Sequence, residues 1–168
     1  MANSITICIP TCLGNVDFFI QLLISISEQS VLPDETLIIV NGDNRSKKMH
    51  QNLIDKIHYL VPSNINSNFI ISEKAGLSRA RNIGIEKCKT DILIFGDDDD
   101  IWHKDKIYLI NKIIKENGIC LVRHRFNLLI EDKIKNASKK YNYNPNLFLI
   151  GITNFVGGGS TINGSTCI

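Results

Sequence analysis

Asp97, Asp98, Asp99 and Asp100 stand in a row, behind an apolar run that ends at Phe95 and Gly96 and ahead of Ile101, Trp102 and a helix-forming stretch. At an effective dielectric of about 20, two carboxylates about 4 Å apart repel by roughly 4 kcal/mol, so a folded loop with several ionised aspartates needs compensating positive charge. A divalent cation supplies it. Mg²⁺ and Mn²⁺ take carboxylate, water and phosphate oxygens, and Mg²⁺ commonly binds through one or two carboxylates together with substrate phosphates. The quartet therefore points to a metal that holds a phosphorylated ligand. The plain alternative is a solvated acidic loop. Position favours the first reading, because Asp91 to Phe95 has the composition of a buried parallel strand, and ligands of open α/β sheets bind beyond the carboxyl ends of the strands. An EF-hand calcium loop wants Gly at its sixth position and Glu at its twelfth. Counted from Asp97, those positions hold Trp102 and Tyr108.

Two further groups suit phosphate. In the stretch Gly76 to Gly84, Arg79 and Arg81 fall near the start of a predicted helix, where arginines and free backbone N–H groups favour anions. Taken singly, an arginine is more often one half of a surface ion pair. Gly157, Gly158 and Gly159, followed by Ser160 and Thr161, read as a flexible turn or as a backbone cradle for a ligand.

The elements that must position these groups alternate. Ile5 to Ile9 is a β-favouring run closed by Pro10, and Asn15 opens a helix with Phe19, Leu22, Leu23 and Ile26 on one face. Thr36 to Val40 is a second strand, ended by the turn-forming Asn41 to Asn44. Leu53, Ile57 and Leu60 share a helical face that Pro62 terminates, and Asn68 to Ser72 is a third strand. A helix with Leu77, Ala80, Gly84 and Cys88 on its apolar side leads to the fourth strand, Asp91 to Phe95. Ile107, Ile110 and Ile114 mark one more helix ending near Gly118. Four rounds of strand then helix predict an α/β fold, a mostly parallel sheet with helices on both faces. Beyond it the alternation breaks. Ile119 to Arg123 and Asn127 to Glu131 are candidate strands, Asn136 to Asn146 is a polar loop, and Leu147 to Ile150 is apolar. Three polar clusters, Pro10 with Thr11, Asn41 to Asn44, and Asp97 to Asp100, thus fall at strand ends that share one edge of a parallel sheet.

Composition bounds the function classes. The 168 residues, 43% hydrophobic and 21% charged, suit one soluble domain rather than two. A net charge of +2 is too mild for nucleic-acid binding, and the main basic patch, Lys133, Lys135, Lys139 and Lys140, reads as a solvated face that leaves room for a weak contact with an anionic membrane. Cys8, Cys12, Cys88, Cys120 and Cys167 are odd in number and contain no C-x-x-C pair, so they are expected to be reduced and mostly buried. The first apolar stretch is too short for a signal peptide and no run reaches membrane-spanning length. The expected location is the cytoplasm.

In order along the chain, Ile5 to Thr11, Ser25 to Gln29 before Pro33, Leu37 to Asn44, Gly76 to Gly84 and Phe95 to Trp102 make the sequence resemble glycosyltransferase family 2, inverting enzymes of the GT-A fold. The resemblance implies one GT-A nucleotide-sugar-binding domain over residues 1–168. Asp97 and Asp99 would form its D-x-D metal pair, with Asp99 the direct ligand of Mn²⁺ or Mg²⁺, and Asp98 would lie near the ribose or sugar. Pro10 and Thr11 would lie beside the base and ribose, and Arg81 would face the nucleotide or its phosphates. The family's acidic residue after the second strand is replaced here by Asn41 and Gly42, so Asp43 takes that role if the turn shifts register. The implied reaction moves a sugar from a nucleotide-diphosphate donor, a UDP-sugar being favoured, to a glycan or lipid-linked acceptor, as in surface-polysaccharide synthesis. It would take place at the inner face of the membrane. The family's catalytic base lies in a later segment, so it is expected beyond Ile168 together with the acceptor-binding part. Glu131, Asp132, His103 and His124 are not assigned that role. The alternative is a non-catalytic nucleotide-sugar-binding remnant. A receiver-like signalling module is disfavoured, because it wants acidic residues where this chain has Pro10, Thr11 and Cys12.

Overall fold

The computed structural model describes residues 3–41, 47–118, 121–122, 127–130 and 133–136. The chain divides into two compact units. In the first, the elements run β1 (Ile5–Thr11), α1 (Val16–Ser27), β2 (Glu35–Val40), α2 (Lys47–Ile57), β3 (Ser67–Ile71), α3 (Leu77–Lys87), β4 (Ile92–Phe95) and α4 (Lys106–Asn117). The four strands form one parallel sheet in the order β3-β2-β1-β4.

The sheet is buried on both sides, as its apolar strands require. Ile5, Ile7 and Ile9 of β1 join Phe19, Leu22, Leu23 and Ile26 of α1, Ile54 and Ile57 of α2, and Ile107 and Ile110 of α4 in the larger core. Cys8, between those isoleucines, faces the other way with Leu37, Ile39, Leu93 and Phe95, against Ala80 of α3. Each fully buried Leu, Ile or Phe contributes about 1.5–3 kcal/mol. Gly84 lets α3 ride close on β1, since a Cβ there would lie 2.3 Å from Cys8 Sγ.

Chain order decides where a crevice opens. The first two crossovers step from β1 to β2 to β3 with α1 and α2 on one face. The third returns past β1 to β4 with α3 on the other face. That reversal makes the gap between the carboxyl ends of β1 and β4 a topological switch point.

Several predicted elements need correction. Pro10 does not close β1, which runs on to Thr11 with Pro10 opposite Ile39 of β2. The last β1–β4 pair is Cys8 with Phe95, so at Pro10 the strand has a neighbour on one side only and a missing N–H is tolerated. Leu60 leaves the face of Ile57 because the chain tightens into a 3₁₀ turn, His58–Leu60, and Leu60 is exposed. Leu77, at the first position of α3, is also exposed. Cys12 is exposed rather than buried, while Cys8 is buried and burial pushes its thiol up to about 12.

In the second unit, β5 (Asn127–Ile130) pairs antiparallel with β6 (Lys133–Asn136). β6 was not foreseen; Lys133 and Lys135 of the basic patch lie on it. Of the candidate strand Ile119 to Arg123, the described residues are Leu121 and Val122, the latter in a single bridge. Asp43, Cys120, His124, Glu131, Asp132, Lys139, Lys140, the stretch from 137 to 150, Gly157 to Thr161 and Cys167 lie outside the described residues.

Candidate active site

The switch point is where the aspartates sit. β4 ends at Phe95, and Gly96 N donates to Cys8 O at 3.0 Å, so the chain leaves the sheet still tied to β1. Asp97 to Asp100 then make a turn, closed by Asp100 N donating to Asp97 O at 3.2 Å. Its two central residues diverge. Asp98 is half-buried and accepts from Thr11 Oγ1 at 2.5 Å, which bridges the ends of β4 and β1, whereas Asp99 is exposed.

Thr11 is 3% exposed and its hydroxyl oxygen also accepts from Leu13 N at 2.8 Å, so one side chain fixes both the aspartate turn and the loop into α1. Asn15 then caps α1, accepting from Phe18 N at 3.2 Å. Burial raises the Asp98 carboxyl above its ordinary value; the Thr11 hydrogen bond opposes this, and Asp99 and Asp97 add to the rise.

Positive charge comes from α3. Arg81 Nη2 lies 3.0 Å from Asp97 Oδ1, and the guanidinium sits 6.0 Å from the centre of the Phe95 ring. Arg81 is thus an ion-pair partner of Asp97; Arg79, two residues earlier, is exposed. On the β2 side, Asn41 N donates to Thr11 O at 2.9 Å, and Asn41 is only 9% exposed. Pro10, Thr11, Asn41, Arg81, Asp97 and Asp98 therefore gather at one edge of the sheet.

Sequence reading gave no site role to the residues beneath the aspartates. Trp102 packs under Gly96, where a Cβ would lie 2.7 Å from Cζ2 of the indole, and Lys106 Nζ stands 3.5 Å from the ring centre. Trp102 N donates to Ser25 Oγ at 3.0 Å, and Trp102 Nε1 is buried without a partner among the described residues. Gln29 donates to His103 O at 2.9 Å and accepts from Ile107 N at 3.1 Å. The available signal was two polar residues four apart, Ser25 and Gln29, continuing the apolar face of Leu22 and Ile26.

The model of glycosyl transferase family 2 matches residues 6–167. The chain belongs to that family. It is 32% identical over 101 residues, 60% of its own length, to the UDP-Gal:alpha-D-GlcNAc-diphosphoundecaprenol beta-1,3-galactosyltransferase of Escherichia coli, and spans 35% of that protein. Among solved structures it resembles residues 1–349 of S. aureus TarS in complex with UDP-GlcNAc, with a TM-score of 0.55, 19% identity and coverage of 70% of this chain and 33% of that one. It also resembles a mannosyltransferase from Pyrobaculum calidifontis in complex with GDP-Man and Mn²⁺, with a TM-score of 0.57, 15% identity and coverage of 72% and 35%. These likenesses place the fold among GT-A glycosyltransferases. The chain thus spans about a third of the length of the proteins it matches.

The donor set fits a divalent cation of the kind that completes its shell with phosphate. Among the described residues, no cluster of three or more His, Cys, Asp or Glu could cage a metal by itself. Asp99 presents an exposed carboxylate, and Asp97 engages Arg81 through Oδ1. Mg²⁺ ordinarily binds through one or two carboxylates together with substrate phosphates. No helix among the described residues is long and apolar enough to cross a membrane.

Proposed function

We propose that this chain is the donor-binding part of an inverting glycosyltransferase that moves a sugar from a nucleotide-diphosphate donor to a glycan or lipid-linked acceptor. The observation that carries the reading is the aspartate turn at the β1–β4 switch point, tied to Thr11 on one side and Arg81 on the other, in a chain of this family.

Asp97 and Asp99 would hold Mn²⁺ or Mg²⁺, which when bound supplies positive charge against the donor diphosphate. Pro10, Thr11 and Asn41 line the nucleoside end, with Asp43 as a further candidate for the base, and Asp98 stands by the ribose or sugar. Arg81 exchanges part of its pairing with Asp97 for the diphosphate. The acceptor hydroxyl oxygen forms the new bond to the anomeric carbon while the bond from that carbon to the phosphate oxygen breaks. The nucleoside diphosphate leaves with the electron pair, and the hydroxyl proton passes to a carboxylate base. Among the described residues none is assigned as that base.

A UDP-sugar is the favoured donor, because the E. coli relative is named for UDP-Gal and TarS was crystallised with UDP and UDP-GlcNAc. The diphosphoundecaprenol in the relative's name supports a lipid-linked acceptor, surface-polysaccharide synthesis and a peripheral position at the cytoplasmic face of the membrane.

The test is titration calorimetry of UDP, GDP, TDP and CDP against the purified chain, with and without Mn²⁺, and against Asp99→Asn. Expected is Mn²⁺-dependent UDP binding that falls at least about 100-fold in the variant, as for loss of a direct metal ligand. A folded chain that binds no nucleotide overturns the donor-site assignment.

A further inference from the structure

Between Gly96 and α4 the chain carries its aspartates on a loop with no regular structure of its own, yet that loop is held at both ends. Upstream, Gly96 N is bonded to Cys8 O. Downstream, beside local bonds such as Lys106 N to His103 O, the long-range bonds described run to the end of α1 or just past it. Trp102 N donates to Ser25 Oγ, Gln29 Nε2 to His103 O, Ser30 N to Lys104 O at 2.8 Å, and Ile107 N to Gln29 Oε1. Ser25 and Gln29 are 6% and 7% exposed. Their remaining capacity is spent locally, Ser25 Oγ donating to Leu22 O at 2.8 Å and Gln29 Nε2 to Ser25 O at 3.0 Å. Both are thereby held in one rotamer.

We infer that Ser25 and Gln29 form a latch that positions the aspartate turn for the metal and diphosphate, as positioning residues that act through Trp102 and the His103–Ile107 stretch behind it and never touch the ligand. The inference rests on the donor-site reading for its consequence, though not for its geometry. The turn has four residues between Gly96 and the Ile101–Trp102 step, so the height of Trp102 sets where Asp97 and Asp99 can reach. Trp102 itself is wedged under Gly96 with no room to rise. Releasing its backbone N–H lets the indole and the turn above it move together. The Thr11 to Leu13 turn also leads into α1, which starts at Val16 behind its cap Asn15. The two walls of the crevice thus flank one helix, Thr11 on the turn that leads into it and Trp102 against its end.

Trp102 is the single tryptophan of the chain, which gives a readout that needs no ligand. Ser25→Ala and Gln29→Met are compared with wild type and with Ser25→Thr, which keeps the hydroxyl. Three quantities are measured: far-UV circular dichroism, acrylamide quenching of Trp102 fluorescence, and the ratio of UDP affinity with Mn²⁺ to that without. Expected in Ser25→Ala are native dichroism, stronger quenching, and a roughly tenfold fall in that ratio, the equivalent of about 1.4 kcal/mol. Ser25→Thr restores both. General destabilisation would weaken both affinities alike and leave the ratio unchanged. If Gln29→Met does not fold, Ser25→Ala with its Thr control decides alone. A folded Ser25→Ala with wild-type quenching overturns the latch; stronger quenching with an unchanged ratio overturns its role in metal positioning. If wild type binds no nucleotide, the donor-site reading fails and the role inferred from it fails too, while quenching still decides whether the latch exists.

Discussion

The two edges of the sheet use the same residue type to opposite effect. At the amino edge, Asp34 Oδ2 accepts from Ile5 N at 2.7 Å, and Asp91 Oδ2 accepts from Ser4 N and Ser4 Oγ, each at 2.8 Å. The Ser4 backbone N–H is the chief reason the Asp91 carboxyl lies below its ordinary value. At the carboxyl edge Asp98 is half-buried beside two other carboxylates and lies above its ordinary value, chiefly through burial. A carboxylate that meets a waiting N–H closes the fold; one crowded among its own kind is held there by the fold and is relieved only by a cation or a proton. The contrast separates aspartates that hold the fold from aspartates that the fold holds, without reference to any ligand.

The largest expected effect is on the carboxyl edge. Thr11→Val removes the donor to Asp98 and the acceptor for Leu13 N while keeping the shape. It should cost about 2 kcal/mol in urea denaturation and weaken nucleotide binding as well. If stability falls and binding does not, Thr11 belongs with the structural residues and the contrast breaks. Next comes Asp34→Ala, which leaves Ile5 N unpaired in a residue only 1% exposed. About 1.5 kcal/mol should be lost, with nucleotide affinity unchanged.

Smaller effects concern pH. The folded pKa of Asp98 is raised, so its contribution is fully present below the unfolded value and lost as pH rises through the folded one. Asp98→Asn should therefore match wild type in acid and melt a few degrees higher at neutral pH without metal. An unchanged difference across that range would contradict the raised carboxyl. Asp91 has the opposite sign: its contribution is present above the unfolded value and lost as pH falls through the lowered folded value. Asp91→Asn should lose a little stability at neutral pH and converge on wild type in acid, which flattens the acid limb of a stability profile, the smallest change of the set.

Much of this was legible along the chain. The apolar runs and helical spacings located β1 to β4 and α1 to α4, because the period of burial is written in local order. Pro10 misled, since a proline ends a strand only where a neighbouring strand lies on its N–H side. Leu60 misled too, because one 3₁₀ turn shifts a residue off a helical face. The aspartate run and Thr11 were readable as site candidates by their residue types and their place at strand ends, and Arg81 by its place near a helix start.

What stood in the sequence by itself was the inventory and its order: four strand–helix rounds, polar groups at the strand ends, and a carboxylate quartet at one of them. Which groups meet was decided by the third crossover, which sets β4 against β1 and so brings Asp98 to Thr11 across 87 residues. The partners of Trp102 and Ile107 lie 77 and 78 residues away, in α1 and just past its end. No local pattern encodes such pairings. They are set by strand order and by the face on which each helix packs, because hydrogen bonds act over about 3 Å in space regardless of separation along the chain.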